Sequence, residues 1–119
     1  MVKRILIFDD DEDILVLCRY ILEELGWEVH TRNTCNNVVI VVEEVKPSLI
    51  LMDNWIPDTG GIIATRLLKA HESLKNIPVI YFSANQDIEN LSKEATADAF
   101  IAKPFEVKEF EELINSYIK

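Results

Sequence analysis

Short apolar runs and helical apolar periods take turns along this chain. Ile5-Leu6-Ile7-Phe8, Leu49-Ile50-Leu51-Met52, Val79-Ile80-Tyr81-Phe82 and Ala99-Phe100-Ile101-Ala102 are continuous runs of strand length. Such runs suit strands covered on both faces, as in a parallel sheet. Trp27, Val29 and Thr31 alternate with Glu28 and His30, the pattern of an edge strand with one wetter face. Between the runs, Ile14, Leu17, Cys18, Ile21, Leu22 and Leu25 follow helical spacing, and Gly26 stands where that helix would close. Ile62, Ile63, Leu67 and Ala70 repeat the spacing more loosely. Val107, Phe110, Leu113, Ile114 and Tyr117 form a stripe opposite Glu109, Glu111 and Glu112.

Two segments are contested. Val38-Val39-Ile40-Val41-Val42 favours strand locally because it is β-branched. A strand there would break the alternation, so the pattern predicts a helix over 34–45. Residues 86–95 are polar and weakly periodic, which predicts a marginal helix. The elements then read βαβαβαβαβα, an α/β sandwich of five parallel strands with helices on both faces. In an open sheet of this kind the site lies at the carboxyl ends of the strands, at a switch point in strand order.

Four of the five strands end on a chemically capable residue: the first on Asp9 and Asp10, the third on Asp53, the fourth on Ser83, the fifth on Lys103-Pro104. Parallel strands share one rim, so three carboxylates, a hydroxyl and an ammonium converge there. Clustered carboxylates repel one another unless a cation sits among them. Mg²⁺ suits such a set, since it takes oxygen ligands and keeps waters that a phosphate oxygen can replace. A carboxylate beside Mg²⁺, a lysine and a serine can attack a phosphoryl group and form an acyl phosphate. The metal and the lysine would offset the charge that develops on the transferring group.

Composition narrows the choice of partner. The chain has 119 residues, which suits a single domain over 1–119. With 49% hydrophobic residues, 28% charged, 3 Gly and 4 Pro, it is neither a disordered tail nor a collagen-like or disulfide-built scaffold. Its 21 acidic against 12 basic residues give a net charge of −9. Such a surface repels phosphate backbones, so no direct nucleic-acid partner is expected. Cys18 and Cys35 form no CxxC pair and read as reduced, buried thiols. Lys3-Arg4 precedes only a four-residue apolar run, and no run is long enough for a membrane span. A cytoplasmic chain with no membrane contact is the expectation.

These residues, taken in order, resemble the receiver domains of two-component response regulators. The motifs that carry the resemblance are Ile5-Leu6-Ile7-Phe8-Asp9-Asp10, Leu51-Met52-Asp53, Pro57, Gly61, Phe82-Ser83-Ala84 and Lys103-Pro104-Phe105. The resemblance implies a flavodoxin-like doubly wound (βα)5 fold with strand order 2-1-3-4-5. It implies that Asp53 accepts a phosphoryl group from a sensor histidine kinase or a histidine phosphotransfer protein, for an output protein the sequence leaves unknown. Asp10 matches the direct Mg²⁺ ligand, Asp9 the acidic neighbour that acts through water, and Trp55 the residue that lends its backbone carbonyl; Mn²⁺ is the expected substitute for Mg²⁺. Ser83 matches the switch residue, Lys103 the lysine of the site, and Phe100 the aromatic that changes rotamer with Ser83. A cis Lys103-Pro104 bond is implied as well. Such a domain catalyses only its own phosphorylation and dephosphorylation.

Two positions depart from the pattern: Gly60 stands where many members have Asp, and Thr96 where a glycine is common. Asp11, Glu12 and Asp13 read as dipole partners and cap of the first helix, and His30 and His71 as surface residues. Trp55 and Asn85 are expected to flank the approach of water to a phosphorylated Asp53, with the indole obstructing it. A haloacid-dehalogenase-like phosphatase would use Asp9 as nucleophile and Asp11 as acid, but it leaves Asp53 without a role. A docking-only pseudo-receiver would have lost Asp10, Asp53 or Lys103, and all three are present.

Overall fold

The predicted alternation is what forms. In the computed structural model, which describes residues 3–56 and 60–117, the order is β1 (Arg4–Phe8), α1 (Glu12–Glu24), β2 (Glu28–Arg32), α2 (Val38–Val45), β3 (Leu49–Asp53), α3 (Gly61–Ala70), β4 (Val79–Ser83), α4 (Ile88–Ala95), β5 (Ala99–Ala102) and α5 (Val107–Asn115). All neighbouring strands are parallel, in the order β2-β1-β3-β4-β5. The order reverses between β1 and β3, the place where such sheets open a crevice. Pro57 of the quoted motifs lies outside the described residues.

Strand alternation feeds two cores. Ile5, Ile7, Leu49, Leu51, Ile80 and Phe82 meet Leu15, Cys18, Leu22, Phe110 and Ile114, so α1 and α5 cover one face. Leu6, Phe8, Ile50, Met52, Val79 and Tyr81 meet Val38, Val42, Ala64, Leu68, Ile88 and Ala95, so α2, α3 and α4 cover the other. The three central strands are buried along their whole length except for Arg4, as continuous apolar runs require. β5 does not follow them: as a sheet edge it leaves Phe100 and Ala102 exposed, and only Ile101 is buried.

Helix α1 is bounded as its sequence asks. Asp11 accepts from the backbone N–H groups of Asp13 at 3.0 Å and Ile14 at 3.4 Å. At its far end Trp27 N–H reaches Leu22 O and Gly26 N–H reaches Glu23 O, both at 3.0 Å, which is the Schellman pair of bonds.

The contested helix α2 forms, but only from Val38. Cys35 is drawn into the core against Met52, with 3.6 Å between the sulfurs, and so holds the preceding turn out of helical geometry. From Val38 onward the i, i+4 pair Val38 and Val42 is buried, and parallel β1–β3 pairing leaves the segment on the crossover where helices belong. Helical packing thus overrides the β-branched preference.

Three predicted stripes need correction. In α3 the buried residues are Gly61, Ala64, Thr65 and Leu68, while Ile63 and Leu67 face water at 56% and 48% exposure. The helix start lies so close to β3 that a Cβ on Gly61 would meet Asp53 O at 2.2 Å, and this fixes which face turns inward. In α1 Leu15 is buried and Leu17 is exposed, and in α5 Val107 is exposed.

Thr96 ends α4 in the left-handed region at φ 64°, where a β-branched side chain is strained. The common glycine of this position is explained by that angle. Thr96→Gly is therefore expected to stabilise the chain by about 1 kcal/mol. The check is the urea midpoint, which should rise at unchanged slope.

Candidate functional site

The carboxyl ends of β1, β3, β4 and β5 deliver the predicted residues to one place. Asp9 is buried; its Oδ1 accepts Asp11 N–H at 2.9 Å and its Oδ2 accepts Lys103 Nζ at 2.6 Å. Asp53 is also buried, with Oδ1 3.0 Å from Lys103 Nζ and Oδ2 accepting Trp55 N–H at 3.2 Å. Asp10 is exposed and has no charge partner among the described residues. One oxygen from each of Asp9, Asp10 and Asp53 lies within 4.8 Å of the others.

Lys103 enters from the end of β5, where its N–H bonds to Ser83 O at 2.9 Å and its ammonium lies 4.4 Å from the Phe82 ring centroid. The Lys103-Pro104 bond is cis, as the resemblance implied. Ser83 is buried, and its Oγ accepts Asn85 N–H at 3.1 Å, which leaves the hydroxyl hydrogen free to donate.

The electrostatics follow from two carboxylates sharing one ammonium. Burial, and then the charge of Asp9, push the Asp53 carboxyl up to about 6, against the opposing pull of Lys103 and the Trp55 N–H. Burial works against the Lys103 charge as well, but the bonds and charges of Asp9 and Asp53 outweigh it and hold the ammonium above its usual range. Burial first, and then the charge of Asp9 on Cys18 and of Asp53 on Cys35, push both thiols up to about 12. They are free and buried, as expected.

Three carboxylates against one ammonium leave two negative charges in excess, the charge of one divalent cation. All the clustered atoms are hard oxygens, and Asp10 faces water with an uncommitted carboxylate. The residues present therefore fit Mg²⁺.

Other expectations sort cleanly. Asp11 is engaged as the cap of α1, so the phosphatase reading loses its acid. His30 pairs with Glu28 at 2.6 Å and His71 with Glu43 at 3.7 Å, away from the site. Phe100 is 40% exposed and points largely outward. Trp55, expected to obstruct water with its indole, is 80% exposed.

Sequence reasoning missed Asn54 and Tyr81. The buried Tyr81 hydroxyl donates to Asn54 Oδ1, and Asn54 O accepts Gly61 N–H at 3.1 Å. The available signal was alternation: Asn54 follows Asp53 onto the opposite sheet face, the face that Tyr81 occupies on β4.

A buried carboxylate paired with a lysine beside an acidic cluster, at the switch point of a 2-1-3-4-5 sheet, is the arrangement of a receiver module of two-component signalling. The chain belongs to that family: the profile of the response regulator receiver domain matches residues 5–115. It is similar to the polar-differentiation response regulator DivK of Brucella anthropi, 35% identical over 122 residues that cover 99% of this chain and 98% of the relative. DivK of Brucella ovis is 34% identical over 121 residues, with the same coverage. Among solved structures it is similar to the receiver domain of sensor histidine kinase PA1611 from Pseudomonas aeruginosa PAO1, with TM-score 0.89 and 28% identity over 99% of this chain and 98% of that one. That structure holds a magnesium ion coordinated in its active site cleft. The receiver domain of a signal transduction histidine kinase from Syntrophus aciditrophicus gives TM-score 0.89 and 27% identity, over 98% of this chain and 90% of the other. Among the described residues no helix is long and apolar enough to cross a membrane.

Proposed function

We propose that Asp53 is the phosphoryl acceptor of this receiver and that Lys103, Ser83 and the acidic pocket serve its transfer. The observation that carries this reading is the buried Asp53 carboxylate, joined to Lys103 at 3.0 Å and clustered with Asp9 and Asp10. An Asp53 oxygen attacks phosphorus, the bond from phosphorus to the donor's imidazole nitrogen breaks, and an aspartyl phosphate forms. Lys103 already lies beside the acceptor and follows the charge as it moves to the phosphoryl oxygens. Ser83 donates its free hydroxyl hydrogen to one of those oxygens.

Asp10 and Asp53 would hold Mg²⁺ directly, with the Trp55 backbone carbonyl, and Asp9 would act through water; Mn²⁺ fills the same oxygen set. Bound there, the cation neutralises charge on the transferring group. The donor is a sensor histidine kinase or a histidine phosphotransfer protein, and the chain catalyses nothing beyond gain and loss of its own phosphoryl group. Movement of Ser83 toward the phosphoryl group lets the exposed Phe100 turn inward. That remodels the face of α4, β5 and α5 that an output protein reads. The setting is the cytoplasm, over a single domain of residues 1–119.

Incubation with acetyl phosphate and Mg²⁺ is expected to add one phosphoryl group, detected by intact mass. Asp53→Asn should remain unlabelled, while Asp11→Ala should still be labelled. Labelling of Asp53→Asn at the parental level would overturn the assignment.

A further inference from the structure

The peptide group between Asn54 and Trp55 is held from both sides. Its carbonyl, on Asn54, accepts Gly61 N–H at 3.1 Å, which ties it to the first turn of α3. Its N–H, on Trp55, donates to Asp53 Oδ2 at 3.2 Å. In a trans peptide these two groups point opposite ways, so rotating the unit would break both bonds together. The Asn54 side chain, which precedes this peptide, is anchored in turn: the buried Tyr81 hydroxyl donates to Asn54 Oδ1.

The packing around this bond is close. A Cβ on Gly61 would lie 2.2 Å from Asp53 O and 2.9 Å from the Tyr81 hydroxyl oxygen. The start of α3, the backbone of the acceptor and the phenol therefore meet at one point, and only glycine fits between them. Tyr81 also sits two residues before Ser83 on β4, so the strand that pairs with the acceptor's strand carries both the phenol and the Ser83 hydroxyl.

We propose that Tyr81 is a positioning residue for phosphorylation, acting through Asn54 to fix the peptide N–H that orients the Asp53 carboxylate. This rests on Asp53 being the acceptor. Lys103 holds one carboxylate oxygen and the Trp55 N–H the other, so fixing the peptide helps to define the carboxylate plane. A carboxylate free to turn about its own axis spends less time aligned with the incoming phosphorus, and the rate of the transfer step falls. Tyr81 is fully buried and out of reach of the donor, so the loss on its truncation belongs to the reacting geometry.

The test measures labelling by acetyl phosphate at saturating Mg²⁺ in the parent, Tyr81→Phe, Asn54→Ala, the double variant and Asp53→Asn, with urea stability recorded for each. Tyr81→Phe is expected to lower the maximal labelling rate about tenfold, the scale on which removal of an orienting partner acts. The acetyl phosphate concentration for half-maximal rate should stay unchanged. Asn54→Ala should give the same loss, and the double variant no further loss, because one chain of contacts is broken only once. A parental maximal rate in Tyr81→Phe, whatever happens to its stability, would overturn the inference. So would losses that multiply in the double variant. Labelling of Asp53→Asn would instead mark failure of the acceptor assignment itself.

Discussion

Lys103→Met should lower the unfolding free energy by about 3 kcal/mol near neutral pH in chelator, because it leaves two buried carboxylates without their shared cation. The side chains of Asp9 and Asp53 are 1% and 7% exposed, so water cannot take over the work of the ammonium. The loss depends on pH in a stated direction. Asp53 titrates at about 6 in the folded chain against an ordinary 3.8, so between those values the folded state binds more protons than the unfolded state. Stability of the metal-free parent therefore falls as pH rises through that window. Removal of Lys103 deletes one of the influences that lower the Asp53 value, so the fall should become steeper and run to higher pH. Asp53→Asn has the opposite sign: it leaves the ammonium to Asp9 alone and should raise the urea midpoint. Urea curves of the three proteins across this range check both signs together. A flat profile in Lys103→Met would contradict the shared-cation picture.

Gly61→Ala should destabilise by about 3 kcal/mol, at the upper end for overpacking, since backbone cannot yield as a flexible side chain would. The added Cβ would meet Asp53 O at 2.2 Å and could be relieved only by lifting the first turn of α3 away from β3. Its neighbour supplies the control. Among the described residues a Cβ on Gly60 would meet nothing within 4 Å, and the obstacle there is its φ of 80°. Gly60→Ala should therefore cost only about 1 kcal/mol. Urea unfolding of the pair separates contact from conformation at adjacent positions. The same angle explains why Gly60, rather than the aspartate common in the family, can begin α3 in this chain.

The βα alternation was legible because each strand is a continuous apolar run, and Asp9, Asp53, Ser83 and Lys103 were legible because they end those runs on one rim. Burial direction within helices was much less so. In α3 large apolar residues drew the eye to Ile63 and Leu67, whereas the sheet selects Gly61 and Ala64 for their lack of bulk. The late start of α2 goes with a left-handed Asn37 and with Cys35 packed beside Met52 in the same core, which no local pattern records. Asn54 and Tyr81 stayed hidden for a related reason: they stand 27 residues apart, and each alone reads as ordinary loop or core. What the chain order could place was the end of each strand; what it could not place were contacts between neighbouring strands beyond those ends.

An open sheet has two rims where backbone groups can recruit another chain, and this molecule treats both as hazards. Along β2, Glu28 is gripped by Arg4 and by His30, each at 2.6 Å, which lays a lattice of charge over the outermost strand. On the opposite rim β5 stops after four residues. Charged and curtailed borders of this kind are poor templates for strand addition. Encounters with other proteins are thereby steered away from backbone zippering and toward side-chain surfaces. A receiver that docks with a kinase and must then let it go gains from having no adhesive margin.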